Sequence, residues 1–389
     1  MFQFSALPPL SLYVHFPWCV RKCPYCDFNS HEAKSTLDEN AYVDALLVDL
    51  EQDLPAVWGR PVISIFFGGG TPSLFGAEAI DRLLSGLRAR LPLVPEVEIT
   101  LEANPGTVEY GRFAEYRAAG VNRLSIGVQS FQPHLLEALG RIHSAGEARN
   151  AAEAAREASF QDFNLDLMFA LPEQTLQEAG DDLEAALALE PTHLSYYQLT
   201  IEPNTLFHRR PPRLPEEDLA WAMQERAQAR LAEAGYAQYE VSAYARPGRR
   251  SRHNLNYWRF GDYLGIGAGA HGKISDAREG RIVRTAKTRH PQTYLQKVGS
   301  GDPGLVTTRD LSREDVGFEF MLNALRLTGG FASSLFAEHT GLPILQVEAG
   351  LREAEARGWI EWDLHSIRPT EQGRRFLNDL LELFLPEAA

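Results

Sequence analysis

The three cysteines of this 389-residue chain are Cys19, Cys23 and Cys26, all within eight positions. A compact loop with the spacing C-x3-C-x2-C can turn three thiolates toward one point. Zinc would need a fourth Cys or His ligand, for which His15 and His31 are nearby candidates. An iron–sulfur cluster is the alternative, because thiolates are its usual ligands. Three cysteines on a four-iron cluster would leave one iron with an open position, where a small molecule could bind.

A glycine run is the second feature that could do chemistry. The segment "FFGGGTPS" at 66–73 places three glycines after an apolar run. Glycine allows a ligand to approach the backbone closely and permits φ values that are barred to other residues. A tight strand-to-helix turn would also explain the run, so the glycines alone leave both interpretations open.

Six short apolar runs, rich in β-branched or aromatic residues, predict the strands that position these features. They are 12–16, 62–67, 97–103, 123–128, 163–169 and 193–199. Between them lie segments such as 37–54, in which apolar residues recur at three- and four-residue spacing, as in helices. The alternation predicts an α/β fold with parallel strands joined by right-handed crossovers, either a doubly wound sheet or a barrel-like arrangement.

Polar residues or glycines lie at or near the carboxyl end of every predicted strand. In strand order these are Cys19, Gly68 to Gly70, Glu102, Gln129, Asp166 and Gln198. Chemistry in β/α barrels gathers at those ends. Core packing alone does not readily produce such a pattern, so we expect the residues to share one rim.

The pattern of predicted helices and strands changes after residue 300. Three helical segments are followed by a predicted hairpin at 360–373 and a last helix, an order that resembles a winged-helix module. Residues 311–389 carry seven Arg, no Lys and 13 acidic residues, and the whole chain has a formal charge of −14. Nucleic acid is therefore not an expected partner, and the short basic stretch at 246–254 is interpreted as a solvated loop. We expect a packing or docking domain.

The expected location is the cytoplasm. No apolar run approaches the roughly 20 residues needed to span a bilayer. The N-terminal segment lacks a basic region followed by an apolar one, so no signal peptide is predicted. Three clustered cysteines without others argue against a secreted disulfide framework and favour a reducing compartment.

The cysteine spacing, placed after the first strand, resembles the signature of the radical S-adenosylmethionine superfamily. Further segments resemble its oxygen-independent coproporphyrinogen oxidase branch. They are "LYVHFPWC", "CPYCDF", "FFGGGTPSLF", "EANPGT", "RLSIGVQSF" and "GRIHSAGEA". The resemblance covers most of residues 11–270 and includes the small C-terminal domain of that branch. We therefore predict a partial (β/α)6 TIM-like barrel with a small, mainly helical, winged-helix-like domain at its C-terminal side. The predicted boundaries are a radical SAM core at 1–240, a connecting region at 241–300 and a C-terminal domain at 301–389.

The resemblance implies a 4Fe-4S cluster on Cys19, Cys23 and Cys26, with S-adenosylmethionine on the open iron. It places Tyr13 beside the cofactor and the cluster, and Tyr25 between the last two cluster ligands. The amino acid end of the cofactor would be held by Gly69, Gly70 and Thr71. Its polar groups would be bound by Glu102, Gln129, Arg141 and Asp166.

The side-chain chemistry of those assignments is reasonable. Arg141 can form a bidentate pair with a carboxylate, Asp166 can accept from two ribose hydroxyls, and Glu102 can complement an ammonium or sulfonium charge. The alternatives are that Glu102 and Asp166 are core carboxylates paired with Arg123 or Arg141, and that Arg141 is a surface residue on the first turn of a helix.

Two departures separate the chain from the oxidases of this branch. The oxidases carry a fourth cysteine two residues after the third, where this chain has Phe28. They also carry a longer N-terminal segment that helps to bind the porphyrinogen, whereas here Tyr13 is reached almost at once. Both departures argue against decarboxylation of coproporphyrinogen.

Other members of the branch are heme chaperones, and "HNLNYW" at 253–258 fits their H-N-x-x-Y-W motif. In that interpretation His253 is an axial ligand of heme iron, and Tyr257 and Trp258 offer flat surfaces to the macrocycle. Alternatively, His253 and Asn254 cap a turn while the aromatic residues pack in the core. His271, in "GIGAGAHG", is a second candidate ligand.

The sequence thus predicts a cytoplasmic protein that binds heme and transfers it to apo heme proteins of respiration at the membrane. The cluster would act in dimerisation or release, a homodimer is possible, and no catalytic residue is assigned. The first rival is an oxygen-independent coproporphyrinogen dehydrogenase. The others are a radical enzyme acting on a tRNA or small metabolite, and a zinc-binding scaffold.

Overall fold

A twelve-stranded mixed sheet dominates the computed structural model, which describes residues 1–34, 36–106 and 110–386. Thr107, the last residue of the segment "EANPGT", lies outside those ranges. The described strands are β1 (Leu10–Phe16), β2 (Trp18–Cys19), β3 (His31–Glu32), β4 (Val62–Gly69), β5 (Leu93–Ala103), β6 (Arg123–Gln129), β7 (Asp162–Phe169), β8 (His193–Gln198), β9 (Ala237–Glu240), β10 (Ala243–Ala245), β11 (Asp262–Ile266), β12 (His271–Asp276), β13 (Arg281–Lys287), β14 (Val306–Asp310), β15 (Phe331–Ala332), β16 (Ile360–Trp362) and β17 (Ser366–Pro369).

The six predicted strands are all present as β1, β4, β5, β6, β7 and β8, adjacent in chain order and parallel. Side chains alternate along them because successive residues of a strand point to opposite faces. In β8, Leu194 and Tyr196 are buried in the main apolar core, while His193, Ser195 and Tyr197 carry polar groups on the other face. The predicted α/β fold is confirmed.

The sheet continues beyond both ends of this parallel block. β11 adds in parallel beside β1 and is followed by antiparallel β12, β13 and β14, while antiparallel β10 and β9 follow β8. Residues 241–300, expected as a connecting region, therefore contribute strands to the same sheet. With β14 and β9 at its edges the sheet is open, as a partial barrel requires.

Helices follow the parallel strands and cover their apolar face. The described helices are α1 (Glu39–Val57), α2 (Ala77–Arg90), α3 (Phe113–Ala119), α4 (Pro133–Ala138), α5 (Ala145–Glu157), α6 (Leu176–Ala188), α7 (Leu206–Arg209), α8 (Glu217–Glu233), α9 (Arg252–Trp258), α10 (Pro291–Lys297), α11 (Arg313–Ala324), α12 (Ser333–Thr340), α13 (Glu348–Ala356), α14 (Glu371–Arg375) and α15 (Leu377–Glu382). Capping boxes fix the starts of α5, α6 and α11. The side chains of Ser144, Thr175 and Ser312 each accept a hydrogen bond from the backbone amide three residues later in the chain.

The C-terminal region has the predicted order of three helices, a hairpin and a final helical segment. α11, α12 and α13 precede the β16–β17 hairpin, which joins β15 in a three-stranded sheet. The final helix is divided at Phe376, whose φ of −107° and ψ of 41° interrupt the helical path between α14 and α15. Phe320 and Phe336 pack with Phe260 and Ile282 from the preceding region, so one apolar cluster joins the two parts.

Across the described ranges, no helix combines the length and apolar character needed to cross a membrane.

Candidate cofactor-binding site

A cavity of about 340 Å³ lies at the carboxyl ends of the parallel strands. It gathers most of the predicted site residues along one wall. The lining includes Cys19, Cys23, Tyr25, Cys26, Gly69, Gly70, Thr71, Glu102, Gln129, Arg141 and Asp166. Tyr13, His253 and His271 do not line it, and neither do Gly68 and Gln198, which were expected on the rim. The expectation of a common rim is therefore confirmed in position for residues of the first five predicted strands and the loops after them, and is wrong for Gln198 at the end of the sixth.

The cysteine loop is held by short backbone pairings. β2 pairs with β3, and the Cys26 amide donates to the Cys23 carbonyl at 3.1 Å. All three cysteines are free and half-buried. Burial raises the pKa of Cys19 and of Cys26, although Thr71 and Ser30 hydrogen bonds oppose the respective shifts. Metal binding here must therefore release the protons of Cys19 and Cys26, whose raised pKa values favour the neutral thiol.

Of the two histidines considered as zinc ligands, His15 has both ring nitrogens engaged, whereas His31 Nε2 is buried without a hydrogen-bond partner in the described structure. His15 Nδ1 is 3.0 Å from the Tyr13 hydroxyl, and its Nε2 is 2.9 Å from the Asn29 carbonyl oxygen. The His31 ring lies against His290, with centroids 5.5 Å apart. Among the residues that the structure describes, no three His, Cys, Asp or Glu side chains are grouped to hold a single metal ion.

The glycine run forms a cradle that side chains would fill. The Gly70 and Thr71 amides donate to the Phe16 and Trp18 carbonyls, each at 2.7 Å, which brings the run against the cysteine loop. A Cβ on Gly70 would lie 2.4 Å from the Trp18 carbonyl oxygen. Gly69 has a φ of 119°, which favours glycine, and its amide donates to Glu102 at 3.2 Å. The run therefore packs as a tight turn after β4, and because Gly69 and Gly70 also line the cavity, their approach to a ligand stays a prediction.

Two carboxylates face the cavity without an ion pair among the described salt bridges. Burial and the charge of Asp166 raise the pKa of Glu102 to about 8, against the opposing Gly69 hydrogen bond. Burial also raises the pKa of Asp166, although the Ser125 hydroxyl and the Asn164 amide donate to it at 3.0 and 2.8 Å. Such a pair favours a cationic ligand.

The alternative ion-pairing partners of these carboxylates are committed elsewhere. Arg123 lies 3.9 Å from Glu98, and Arg141 reaches Asn104 and the Gly127 carbonyl. The alternative that Glu102 and Asp166 are paired core carboxylates is therefore wrong.

Arg141 lies ahead of α5 rather than on its first turn, and its guanidinium enters the cavity. One terminal nitrogen donates to Asn104 Oδ1 at 2.8 Å and to the Gly127 carbonyl at 2.6 Å, while the other is 3.7 Å from Cys23 Sγ. Its Nε is buried without a protein partner. The helix-surface interpretation of this residue is therefore wrong, and a donor remains for an acidic ligand group.

The three remaining predicted residues are held by their neighbours. The Tyr197 hydroxyl donates to Gln129 Oε1 at 2.8 Å, and Gln129 itself has a φ of 69°. The Tyr25 ring lies against Phe207, with centroids 6.3 Å apart. Burial raises the pKa of Tyr13 well above its ordinary value, and Glu102 adds to the shift, so Tyr13 lies close behind the cavity wall.

The cavity is also lined by polar residues that the sequence reasoning did not select, which are Asn104, Ser125, Ser195, Tyr197, Glu240 and Ser242. Asn254 and Trp258 of the H-N-x-x-Y-W motif line it as well, although the sequence assigned them elsewhere. The alternation within β6 and β8 could have indicated Ser125, Ser195 and Tyr197, since each shares a strand face with another polar residue. Glu240 and Ser242 come from the distant β9–β10 turn, for which no local signal exists.

The H-N-x-x-Y-W motif forms helix α9, anchored at its start to strand β5. The Ser251 side chain accepts from the Asn254 amide, and Glu98 accepts from the amides of Arg252 and His253, each at 3.0 Å. Ser251, not His253, therefore caps this helix.

The two ends of α9 face different surroundings. The His253 ring lies 4.9 Å from Phe66 between centroids, and its Nδ1 is 3.1 Å from the Ser64 hydroxyl. Burial lowers the pKa of His253 to about 3. Trp258 lines the cofactor cavity instead of being sealed in the core, so only part of the packing alternative applies.

Family models match two parts of the chain. The radical SAM superfamily model matches residues 13–186, and the HemN C-terminal domain model matches residues 311–376. The heme chaperone HemW of Escherichia coli strain K12 is 53% identical over 381 residues, which cover 98% of this chain and 99% of the relative. The HemW of Bacillus subtilis strain 168 is 34% identical, with 97% and 99% covered. The chain belongs to the HemW family.

A solved relative of this HemW-family chain is the coproporphyrinogen III oxidase HemN of Escherichia coli, described as a radical SAM enzyme. Its structure is 25% identical with a TM-score of 0.82, and the match covers 97% of this chain and 90% of that one. The predicted barrel and small C-terminal domain are thereby confirmed. The likeness extends through the strands that lie beyond the six predicted ones.

Membership of the radical SAM superfamily implies a 4Fe-4S cluster and S-adenosylmethionine. The residues present fit both groups. Three free thiols open into one cavity with a glycine cradle, two carboxylates suited to a cationic ligand, and an Arg141 Nε without a partner. When bound, the reduced cluster of this superfamily can supply one electron to the sulfonium of S-adenosylmethionine.

Proposed function

We propose that this HemW-family protein is a heme chaperone, which binds heme and transfers it to heme-dependent proteins. The observation that carries the proposal is the 53% identity to a heme chaperone over nearly the whole of both chains. A relationship of this extent includes the C-terminal domain and the H-N-x-x-Y-W helix as well as the barrel.

We propose Cys19, Cys23 and Cys26 as the cluster ligands and the cavity wall as the site of S-adenosylmethionine. Arg141 supports this assignment through its unpartnered buried Nε, which can donate to the cofactor carboxylate. Glu102 and Asp166 would accept from the cationic and hydroxyl groups. The assigned roles of Tyr13, Tyr25, Gly69, Gly70, Thr71 and Gln129 are part of the same proposal.

The chaperone interpretation is favoured over the oxidase one by Phe28. This residue occupies the position of the oxidases' extra cysteine, lines the cofactor cavity, and is 61% exposed. A phenyl ring cannot ligate iron, so the cavity lacks a fourth thiolate at that position. We accordingly expect no decarboxylation of coproporphyrinogen.

Two histidines are candidate heme ligands. His253 is the one that the motif predicts, and His271 is the alternative in the glycine-rich segment. The imidazole is the usual protein ligand of heme iron in several families, and each of these rings can supply a nitrogen.

Cytoplasmic location, a homodimer and respiratory heme proteins as recipients complete the proposal. The three free cysteines support a reducing compartment. The C-terminal domain is retained as a separate unit in this proposal, whereas residues 241–300 share the sheet of the core.

The proposal is tested by adding hemin to the anaerobically purified protein and recording absorption spectra. A saturable Soret band supports heme binding, and its absence sinks the chaperone function. In parallel, the reduced protein is incubated with coproporphyrinogen and S-adenosylmethionine. Formation of protoporphyrinogen would favour the rival enzyme.

A further inference from the structure

A second cavity, of about 610 Å³, lies between strands β11 to β14 and helix α11. We call it the outer groove. Its lining includes Tyr257, Tyr263, His271, Arg284, Phe318 and Leu322, none of which lines the cofactor cavity. Tyr257 belongs to the H-N-x-x-Y-W motif, so the motif helix α9 contributes to both cavities.

The outer groove presents apolar and aromatic surface to solvent. The rings of Tyr257 and Tyr263 lie 5.1 Å apart between centroids. Across from them, helix α11 buries Val316 and Phe320 in the C-terminal core, whereas Phe318 is only half-buried and Leu322 is 40% exposed. An apolar side chain directed into an open groove is a candidate contact for an apolar ligand.

The same groove holds two arginines at its polar end. Arg284 donates to Glu319 at 2.6 Å and to the Tyr263 hydroxyl. Arg309 is 59% exposed and reaches Asp315 and Glu319 only at 3.5 and 3.2 Å. Because its guanidinium is exposed and its two ion pairs are at the surface, where such pairs are weak, Arg309 can turn to pair with a carboxylate of a bound ligand.

His271 is the exposed imidazole of this groove. Within the described part of the chain its side chain makes no hydrogen bond, and it is more than one-third exposed. Partial burial and the charges of Arg289 and Arg284 lower its pKa, so the ring is neutral near pH 7 and can ligate a metal. His253, in contrast, has Nδ1 3.1 Å from Ser64 and lies against Phe66 in the barrel.

We infer that heme binds in the outer groove, with His271 on the iron, the macrocycle between Tyr257 and the Phe318–Leu322 face of α11, and Arg309 on a propionate. This inference rests on the proposed heme-binding function and adds the location of the cargo. It assigns His253 to holding α9 in the barrel. Heme and S-adenosylmethionine then occupy separate cavities, with the motif helix between them.

The test is a hemin titration of the cluster-loaded full chain and of single variants, followed by Soret absorption. H271A should weaken binding by about tenfold or more, because even the loss of an outer-shell partner costs a metal site about 10- to 100-fold. L322D should weaken binding without removing any ligand. H253A leaves the lining of the outer groove in place and should lose less binding than H271A. The exposed-loop control H365A should bind as the wild type does.

Loss of binding in H253A with retention in H271A would overturn the assignment, as would unchanged binding in both H271A and L322D. Circular dichroism and iron content identify a variant that fails to fold. If H271A fails to fold, the binding of L322D tests the groove in its place. Absence of binding by the wild type would defeat the chaperone function itself. If the wild type binds heme but the variants give either of the overturning results above, only the placement of heme in the outer groove is defeated.

Discussion

The guanidinium of Arg326 lies 4.4 Å from the centroid of the Trp258 indole ring, and one of its terminal nitrogens is 3.1 Å from Glu240 Oε2. Arg326 follows helix α11 of the C-terminal domain, whereas Trp258 and Glu240 line the cofactor cavity. One arginine therefore joins the cavity floor to the C-terminal domain through a cation–π contact and an ion pair. Glu240 is only 3% exposed, and Arg326 supplies the positive charge beside its Oε2, while its Oε1 accepts from the Ser242 amide and hydroxyl.

Replacing Arg326 by alanine should destabilise the protein by about 1–3 kcal/mol, because the buried Glu240 loses its counter-charge at Oε2 and keeps the Ser242 hydrogen bonds at Oε1. Chemical denaturation measures the change in the free energy of unfolding. The double variant E240Q/R326A should recover part of the loss, since no buried charge then remains. The exposed Arg368 pairs with Glu361 on the surface, so R368A should have almost no effect. Equal losses in R326A and R368A would contradict the structural role.

Glu102 should make the cofactor-free protein less stable as the pH rises. Its folded pKa of about 8 lies above the ordinary value of 4.5, so its stabilising contribution is present at low pH and is lost between these values. E102Q removes this loss while its side-chain oxygen still accepts from Gly69. Thermal melting from pH 5 to pH 8.5 should show a widening advantage of E102Q, and parallel curves would contradict the assigned pKa.

The same substitution should weaken the binding of S-adenosylmethionine. Hydrogen bonds to charged groups contribute about 1.5–3 kcal/mol, which is about ten- to 100-fold in affinity. The difference between wild type and E102Q should grow as the pH rises through 8, because only the wild type gains a charge there. Any change in the charge of the ligand affects both proteins equally, so it cancels in the difference between their affinities. Calorimetry measures the affinity, and E96Q, at an 87% exposed side chain, is the control.

Gly70 should not tolerate a side chain. A Cβ there would meet the Trp18 carbonyl oxygen at 2.4 Å, so G70A must push the cysteine loop away from the cradle. The expected cost is about 1–3 kcal/mol in stability, as for other overpacked sites, together with reduced iron content. G329A is the matched control, since nothing lies within 4 Å of its added Cβ. Iron analysis and thermal melting of both variants decide, and equal behaviour would exclude a steric role for Gly70.

Much of this architecture follows from local patterns. The apolar runs predicted all six parallel strands, because each buries one face beneath helices. The C-x3-C-x2-C spacing and the glycine run then marked two neighbouring strand ends. Strands β9 to β14 were not predicted, because they are short or antiparallel additions whose pairing partners are distant in sequence.

The parts of the site that sequence could not supply depend on long-range packing. The motif predicted His253 as a heme ligand, but nothing local indicates that its ring lies beside Ser64 and Phe66. Likewise, α9 divides its side chains between two cavities because strands β5, β11 and helix α11 surround it. Trp258 and Tyr257 are adjacent in sequence, yet they line different cavities.

The most direct test of the heme chaperone function is transfer of heme from this protein to a partner that lacks it. The cluster-loaded protein is charged with one equivalent of hemin, separated from free heme, and mixed anaerobically with a heme-free b-type cytochrome. The account predicts that the Soret band moves to the cytochrome, faster than from an equal amount of heme bound to albumin. Heme that never binds, or that stays on the protein while coproporphyrinogen is converted to protoporphyrinogen, would contradict it.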